Sequence, residues 1–268
     1  MNVKLDAAGN ATGGLGNDVV IKGNVAASVG AVNSIDKNGT MTRVNLALDT
    51  DKSSLQGAIV NGFDREDGTT GIDTEADEGG TVSKHFTGEN NLWLQNGATW
   101  TNEQQSHVTT TTIASKNPVW AGSTLATLHG GKDAANAGLI YQKDNNPISV
   151  VNYSGHTTVF YDHDAADPTK IIGGSFNITN AAEGSAITFI TDNKGITSGF
   201  AEGDSADAKD KVANVLNSLA GKLFYKNYTD GHLAGVVKIA EGLTASSAAL
   251  KTGDISFSTE DTGTFTPG

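Results

Sequence analysis

Residues 92–100, LWLQNGATW, constrain the fold more than any other stretch of the chain. Leu92 and Leu94 alternate with Trp93 and Gln95, which is the period of a strand with one buried face. Asn96-Gly97 tolerates positive φ and lets the backbone turn. Ala98 and Trp100 then resume the same parity. The building block is a short strand, an Asn-Gly corner and a second short strand, with no helix between.

The same unit recurs, loosely, along most of the chain. Val19 to Ile21 and Val25 flank a Gly23-Asn24 corner, and Val32 to Ile35 lead into Asp36-Lys37-Asn38-Gly39. Residues 41–48 alternate cleanly, with Val44, Leu46 and Leu48 on one face. Strands are predicted around Leu55 to Val60, Thr109 to Ile113, Leu125 to Leu128, Leu139 to Tyr141 and Ile148 to Val151. Others follow around Val159 to Tyr161, Ile171-Ile172, Phe176 to Ile178, Ile187 to Ile190, Leu223 to Tyr225, Val236 to Ile239 and Ile255 to Phe257. Asn117-Pro118, His129-Gly130-Gly131, Asp144 to Pro147, Ser154-Gly155, Asp167-Pro168 and Gly173-Gly174 separate them.

Three segments depart from this rhythm. Residues 1–17 are rich in Gly, Ala and Asn and read as a flexible or capping segment, ahead of a single domain over 18–268. Residues 64–80, DREDGTTGIDTEADEGG, read as an exposed acidic loop. Residues 204–219 place Val212, Val215, Leu216 and Leu219 at helical spacing, with Asp204 or Ser205 to cap the start and Gly221 past the end. That insertion is predicted to be a short amphipathic helix on the flank of the β body.

Composition agrees with many short strands around a thin core. There are 33 Gly, 4 Pro and only 6% aromatic residues, with few Leu-rich or Lys/Glu-rich helical faces. A formal net charge of −12 argues against nucleic acid and against docking on anionic lipid, because both would be repelled. The chain has no cysteine, which suits a bacterial surface protein better than a secreted eukaryotic one. No run of about eighteen apolar residues is present to insert as a membrane helix. The opening residues carry no apolar signal core, so the expectation is a fragment of a larger exported protein.

Strand signals every eight to twelve residues fit a sandwich or a solenoid. Recurrent Asn-Gly corners and small or β-branched inward residues favour stacked units of about twenty residues, a parallel β-helix of about twelve coils. The rung L-x-L-x-N-G-A-x-W within GENNLWLQNGATWTN resembles the passenger repeats of pertactin-like bacterial autotransporters. The runs GLIYQKDNNPISVVNYSGHTTVFYDHD, IIGGSFNITNAAEGSAITFITDN and VKIAEGLTASSAALKTGDISF resemble the same group, and the resemblance extends over roughly residues 18–260. The resemblance implies a right-handed β-helix passenger segment displayed at the bacterial cell surface. It implies adhesion or aggregation through a host glycan, a surface protein or self-association, and it carries over no catalytic residue.

His156, Asp162, His163 and Asp164 have the side chains of a zinc or manganese site, but the aspartates lie where they would cap turn donors. Asp36 to Gly39 and the carboxylates Asp64, Glu66, Asp67, Asp73, Glu75, Asp77 and Glu78 raise the question of calcium, without the spacing of a calcium loop. No G-x-S-x-G or H-E-x-x-H occurs. Asp162 and Asp164 are the nearest thing to the carboxylate pair of a β-helix polysaccharide-degrading enzyme. The expectation is no catalytic site, no metal and no cofactor. Exposed rings are the better binding feature: Trp93 and Phe160 are predicted to face outward, and Asp67, Asp73 and Asp77 to offer contacts from the acidic loop. A ligand-free stalk is the remaining reading.

Overall fold

The structure is a computed structural model of the 268-residue chain, describing residues 2–27, 43–60, 63–64, 70–71, 89–105, 122–192, 206–240 and 262–265. In chain order the first strands are β1 (Lys4–Leu5), β2 (Ala11–Gly13), β3 (Val20–Lys22), β4 (Val25–Ala26), β5 (Arg43–Leu48), β6 (Ser54–Gln56) and β7 (Ile59–Val60). Next come β8 (Phe63–Asp64), β9 (Thr70–Gly71), β10 (Glu89–Leu94), β11 (Thr99–Asn102), β12 (Ser123–His129), β13 (Gly138–Gln142) and β14 (Ile148–Ser154). Then follow β15 (His156–His163), β16 (Ile171–Ile172), β17 (Phe176–Ala181) and β18 (Ser185–Asp192). Helix α1 (Ala206–Ala220) precedes β19 (Leu223–Tyr225), β20 (Leu233–Ala240) and β21 (Thr262–Phe265).

The fold is all-β, with parallel sheets and one α-helix among the described residues. One sheet has six strands in the order β19-β17-β14-β12-β10-β5. The second large sheet has nine, in the order β21-β20-β18-β15-β13-β11-β6-β3 with β16 beside β15, and β1-β2, β4-β7 and β8-β9 form three two-stranded sheets. The chain visits the two large sheets by turns. Strands β5, β10, β12, β14, β17 and β19 enter the first, while β6, β11, β13, β15, β18 and β20 enter the second. Each return lays a strand parallel to the one left on the previous visit.

Parallel pairing stacks like upon like. Leu46, Leu92, Leu128 and Tyr153 form one inward column. Leu55, Trp100, Ile140, Val159, Phe189 and Val237 form the facing one. All ten are buried in a single cluster shared by both sheets. Each such side chain contributes roughly 1.5–3 kcal/mol by leaving water. The intervals between stacked residues are longer and less even than units of about twenty residues would give, because insertions of different length leave at the corners.

Those corners are chemically specific. Asn96 and Gly97 have φ of 54° and 75°, the left-handed pair expected from sequence. The Asn96 amide donates to the Asp49 carbonyl at 3.0 Å, and its backbone N–H donates to the Asn136 carbonyl at 2.8 Å, joining its corner to two others. Inside, polar side chains form a closed row. Ser123 Oγ accepts from Ile59 N at 3.0 Å and donates to Asn102 Oδ1 at 2.6 Å, and Asn102 Nδ2 donates to Gln142 Oε1 at 2.6 Å. Gln142 Nε2 ends the row on the Asn146 carbonyl at 2.9 Å. The row satisfies buried polar groups that would otherwise be destabilising.

The predicted helix at 204–219 is α1. Val215, Leu216 and Leu219 are buried in the main cluster, so the helix is part of the core wall. No helix among the described residues is long and apolar enough to cross a membrane. The acidic stretch opens on a small antiparallel pair, β8 with β9, where sequence suggests only a loop. Its remaining residues lie outside the described ones, as do the predicted strands at 32–35, 109–113 and 255–257 and the corners at 36–39 and 117–118.

The opening segment caps the six-stranded sheet. Strands β1 and β2 pair antiparallel, and Val3 packs with Ala47 and Trp93. The Asn2 side chain mimics a neighbouring strand: its Oδ1 accepts from Ala47 N at 2.9 Å and its Nδ2 donates to the Ala47 carbonyl at 3.0 Å. Ala47 lies in the edge strand and is buried, so these bonds replace the ladder that the edge lacks. Asn2→Ala should lower unfolding free energy by about 2 kcal/mol, since two buried backbone groups lose their partners. Urea denaturation of the two proteins checks this, and an unchanged midpoint would contradict the capping role.

Candidate functional site

The outer face of the six-stranded sheet carries the candidate site. In β14 and β17 two consecutive residues face solvent between inward ones: Val151-Asn152 between Val150 and Tyr153, and Thr179-Asn180 between Ile178 and Ala181. Strand β12 has the same break, pairing Leu125 with Val150 and Thr127 with Asn152 while passing over Ala126 and Val151. A regular pleat cannot place two neighbours on one side, so the strands turn together along a shared line. A trough of about 400 Å³ lies on this line.

Its walls follow from the register. Thr124, Ser149, Asn177 and Phe224 form one outward row across β12, β14, β17 and β19. Val151, Thr179 and Lys226 line the next row, and Tyr228 closes the end. Phe224 is 54% exposed, Tyr228 48% and Val151 45%. Large apolar side chains this exposed are few among the described residues, and three of them meet here.

Tyr228 is held in place from both sides. It starts a single helical turn over Tyr228–Asp230, which ends at Gly231 in the left-handed region with φ of 72°. On one flank, Asn227 Nδ2 donates to Asn180 Oδ1 at 2.7 Å, and Asn180 Nδ2 donates to Asn152 Oδ1 at 3.2 Å. On the other, the Tyr225 hydroxyl donates to Asp230 Oδ2 at 2.5 Å, while Asp230 Oδ1 accepts from His232 N at 2.8 Å. Burial and the Asp230 hydrogen bond push the Tyr225 pKa up to about 12. The Asp230 carboxylate is thus engaged with the turn, and no carboxylate lines the trough among the described residues.

The sequence-nominated rings sit elsewhere. Trp93 and Phe160 do lie on the outer faces, opposite in parity to Leu92, Leu94, Val159 and Tyr161, yet neither is exposed. Trp93 is 6% exposed, packed with Val3 and Ala47 and stacked on His129 with centroids 4.6 Å apart. Phe160 is 0% exposed, packed with Tyr141 and Ile190. Neither offers a free face to a ligand. Asp67, Asp73 and Asp77 lie outside the described residues. Phe224, Tyr228, Lys226 and Asn177 went unnominated. Parity could have found Phe224, which alternates with inward Leu223 and Tyr225.

The residues with metal-ligand chemistry do not converge. Asp162 accepts from the Tyr141 hydroxyl, whose pKa is raised by burial and by that carboxylate. Asp164 Oδ1 accepts from Ala166 N at 2.8 Å and Asp167 N at 3.0 Å, which lower its pKa, so it caps the turn as sequence suggests. His163 Nε2 pairs with Asp192 Oδ1 at 2.8 Å, and its Nδ1 faces the Asp164 carbonyl at 3.0 Å. Among the described residues no group of three or more such side chains is arranged to hold a metal.

Comparison with protein-family models, with curated proteins and with solved structures gives no match.

The His163–Asp192 pair has a defined pH signature. The hydrogen bond that His163 donates to the Asp192 carboxylate raises the His163 pKa above its ordinary value, against burial, which lowers it. A raised folded pKa stabilises fully below the unfolded value, and the contribution is lost as pH rises through the folded one. The stability advantage of the native chain over His163→Gln should thus shrink on going from about pH 5 to pH 8. Denaturation midpoints across that range test it, and an advantage independent of pH would show that only a neutral hydrogen bond is at work.

Proposed function

We propose that this chain is a right-handed parallel β-helix segment, displayed at the bacterial cell surface like the passenger domains of pertactin-like autotransporters. It works by binding and not by catalysis. The winding is supported by the alternation of the chain between two parallel sheets, and parallel crossovers are right-handed in about 98% of cases. The adhesive role is supported by the outer face, where amide side chains form ladders: Asn91 on Asn45 at 2.9 Å, then Asn227, Asn180 and Asn152. Such a face presents many polar groups at fixed strand spacing with little cost in side-chain freedom on binding.

One observation carries the reading: a trough with exposed aromatic rings opens on this regular polar face. A stalk segment has no need of it. The partners proposed are host-cell glycans or surface proteins.

The test is binding of the purified chain to a panel of host-cell glycans and matrix proteins, with and without calcium. Saturable binding to a defined target is expected, whether or not calcium is present. Silence across the panel would favour a stalk, and shortening of an intact polysaccharide during the assay would point to an enzyme.

A further inference from the structure

Resting on that adhesive reading, we propose that the trough binds a carboxylated saccharide, a uronate-type or sialate-type sugar whose carboxylate pairs with Lys226. Phe224 and Tyr228 supply flat apolar faces, both solvent-exposed and set at one end of the trough. A pyranose ring presents a face of C–H groups that packs on an aromatic ring. Asn177, Ser149 and Thr124 continue the row from Phe224 in ladder register. Their amide and hydroxyl groups donate and accept, as sugar hydroxyls require. The spacing of that row is the strand spacing of about 4.8 Å, comparable to the width of one sugar ring.

Charge selects among sugars. The chain carries −12 overall, so an acidic ligand is repelled from most of its surface. The trough is lined by one ammonium group and by no carboxylate among the described residues. Lys226 uses its backbone N–H on the Ile178 carbonyl, and its side chain makes no ion pair with a described residue. A ligand carboxylate in the trough can therefore pair with a cation that has no ion-pair partner among the described residues. A volume of about 400 Å³ accepts a short oligosaccharide with its ends in solvent.

The test titrates the full chain with trigalacturonate and with sialyllactose, each beside its methyl ester. Binding of one acid is expected, about fivefold tighter than its ester. Lys226→Gln should bind acid and ester alike. Phe224→Ala combined with Tyr228→Ala should weaken both by about tenfold, whereas Phe224→Tyr should retain binding. Circular dichroism of each variant verifies the fold, which these exposed positions do not support. Equal affinity for acid and ester in the native chain would overturn the charge assignment. A panel target still bound by the double alanine variant would overturn the trough while sparing the adhesive reading. Absence of binding to both acids, with binding to another panel target, would do the same. Absence of binding to anything would overturn both.

Discussion

Everything in this molecule depends on the in-register parallel ladder. Because the chain returns to each sheet beside its own previous strand, a residue's neighbours are its counterparts from earlier and later visits. That single constraint produces the apolar columns through Leu92 and Trp100. It also produces the buried row from Ser123 to Gln142 and the surface amide ladders. An inward Asp or Lys would lie within a column and face apolar groups on both sides. Columns of like residues are thus a condition of burial as much as a consequence of it.

A sheet has two open edges, and two of the described ones, one in each large sheet, are handled differently. At β5 the Asn2 side chain takes the place of a neighbouring strand for Ala47. At β20 the antiparallel β21 takes the next position in the sheet. Unsatisfied edges attract other strands, so both devices limit pairing between molecules. The same argument explains why the N-terminal residues are ordered despite a composition of small and polar side chains: Val3 covers the Trp93 ring and Asn2 fills two specific bonds.

Much of the strand pattern is legible in the sequence. Val44, Leu46 and Leu48, then Leu92 and Leu94, then Val159 and Tyr161 are all inward as their alternation predicts. The Asn96-Gly97 corner is legible because so few residues tolerate left-handed backbone. Helix α1 is legible because Val215, Leu216 and Leu219 have no strand-like reading. Exposure is not legible in the same way. Parity puts Trp93 and Phe160 on outer faces correctly, but their covers, Val3 for one and Tyr141 with Ile190 for the other, come from distant parts of the chain. The role of the strand asparagines is hidden for a related reason. Sequence reads Asn chiefly as a corner residue, and it does not show that Asn45, Asn91, Asn152 and Asn180, which lie on strands, find partners once the strands stack.

The trough shows where local and tertiary information divide. The sequence by itself determined which residues can be inward, where the backbone must turn and that the surface is acidic, because these depend on side-chain chemistry and near neighbours. Only the tertiary structure decided that Thr124, Ser149, Asn177 and Phe224 form one row, and that Lys226 and Tyr228 border it. That decision rests on register between segments separated by insertions of unequal length. Alternation within a strand fixes a face, but the depth of a residue along the stack is fixed by backbone hydrogen bonds between strands.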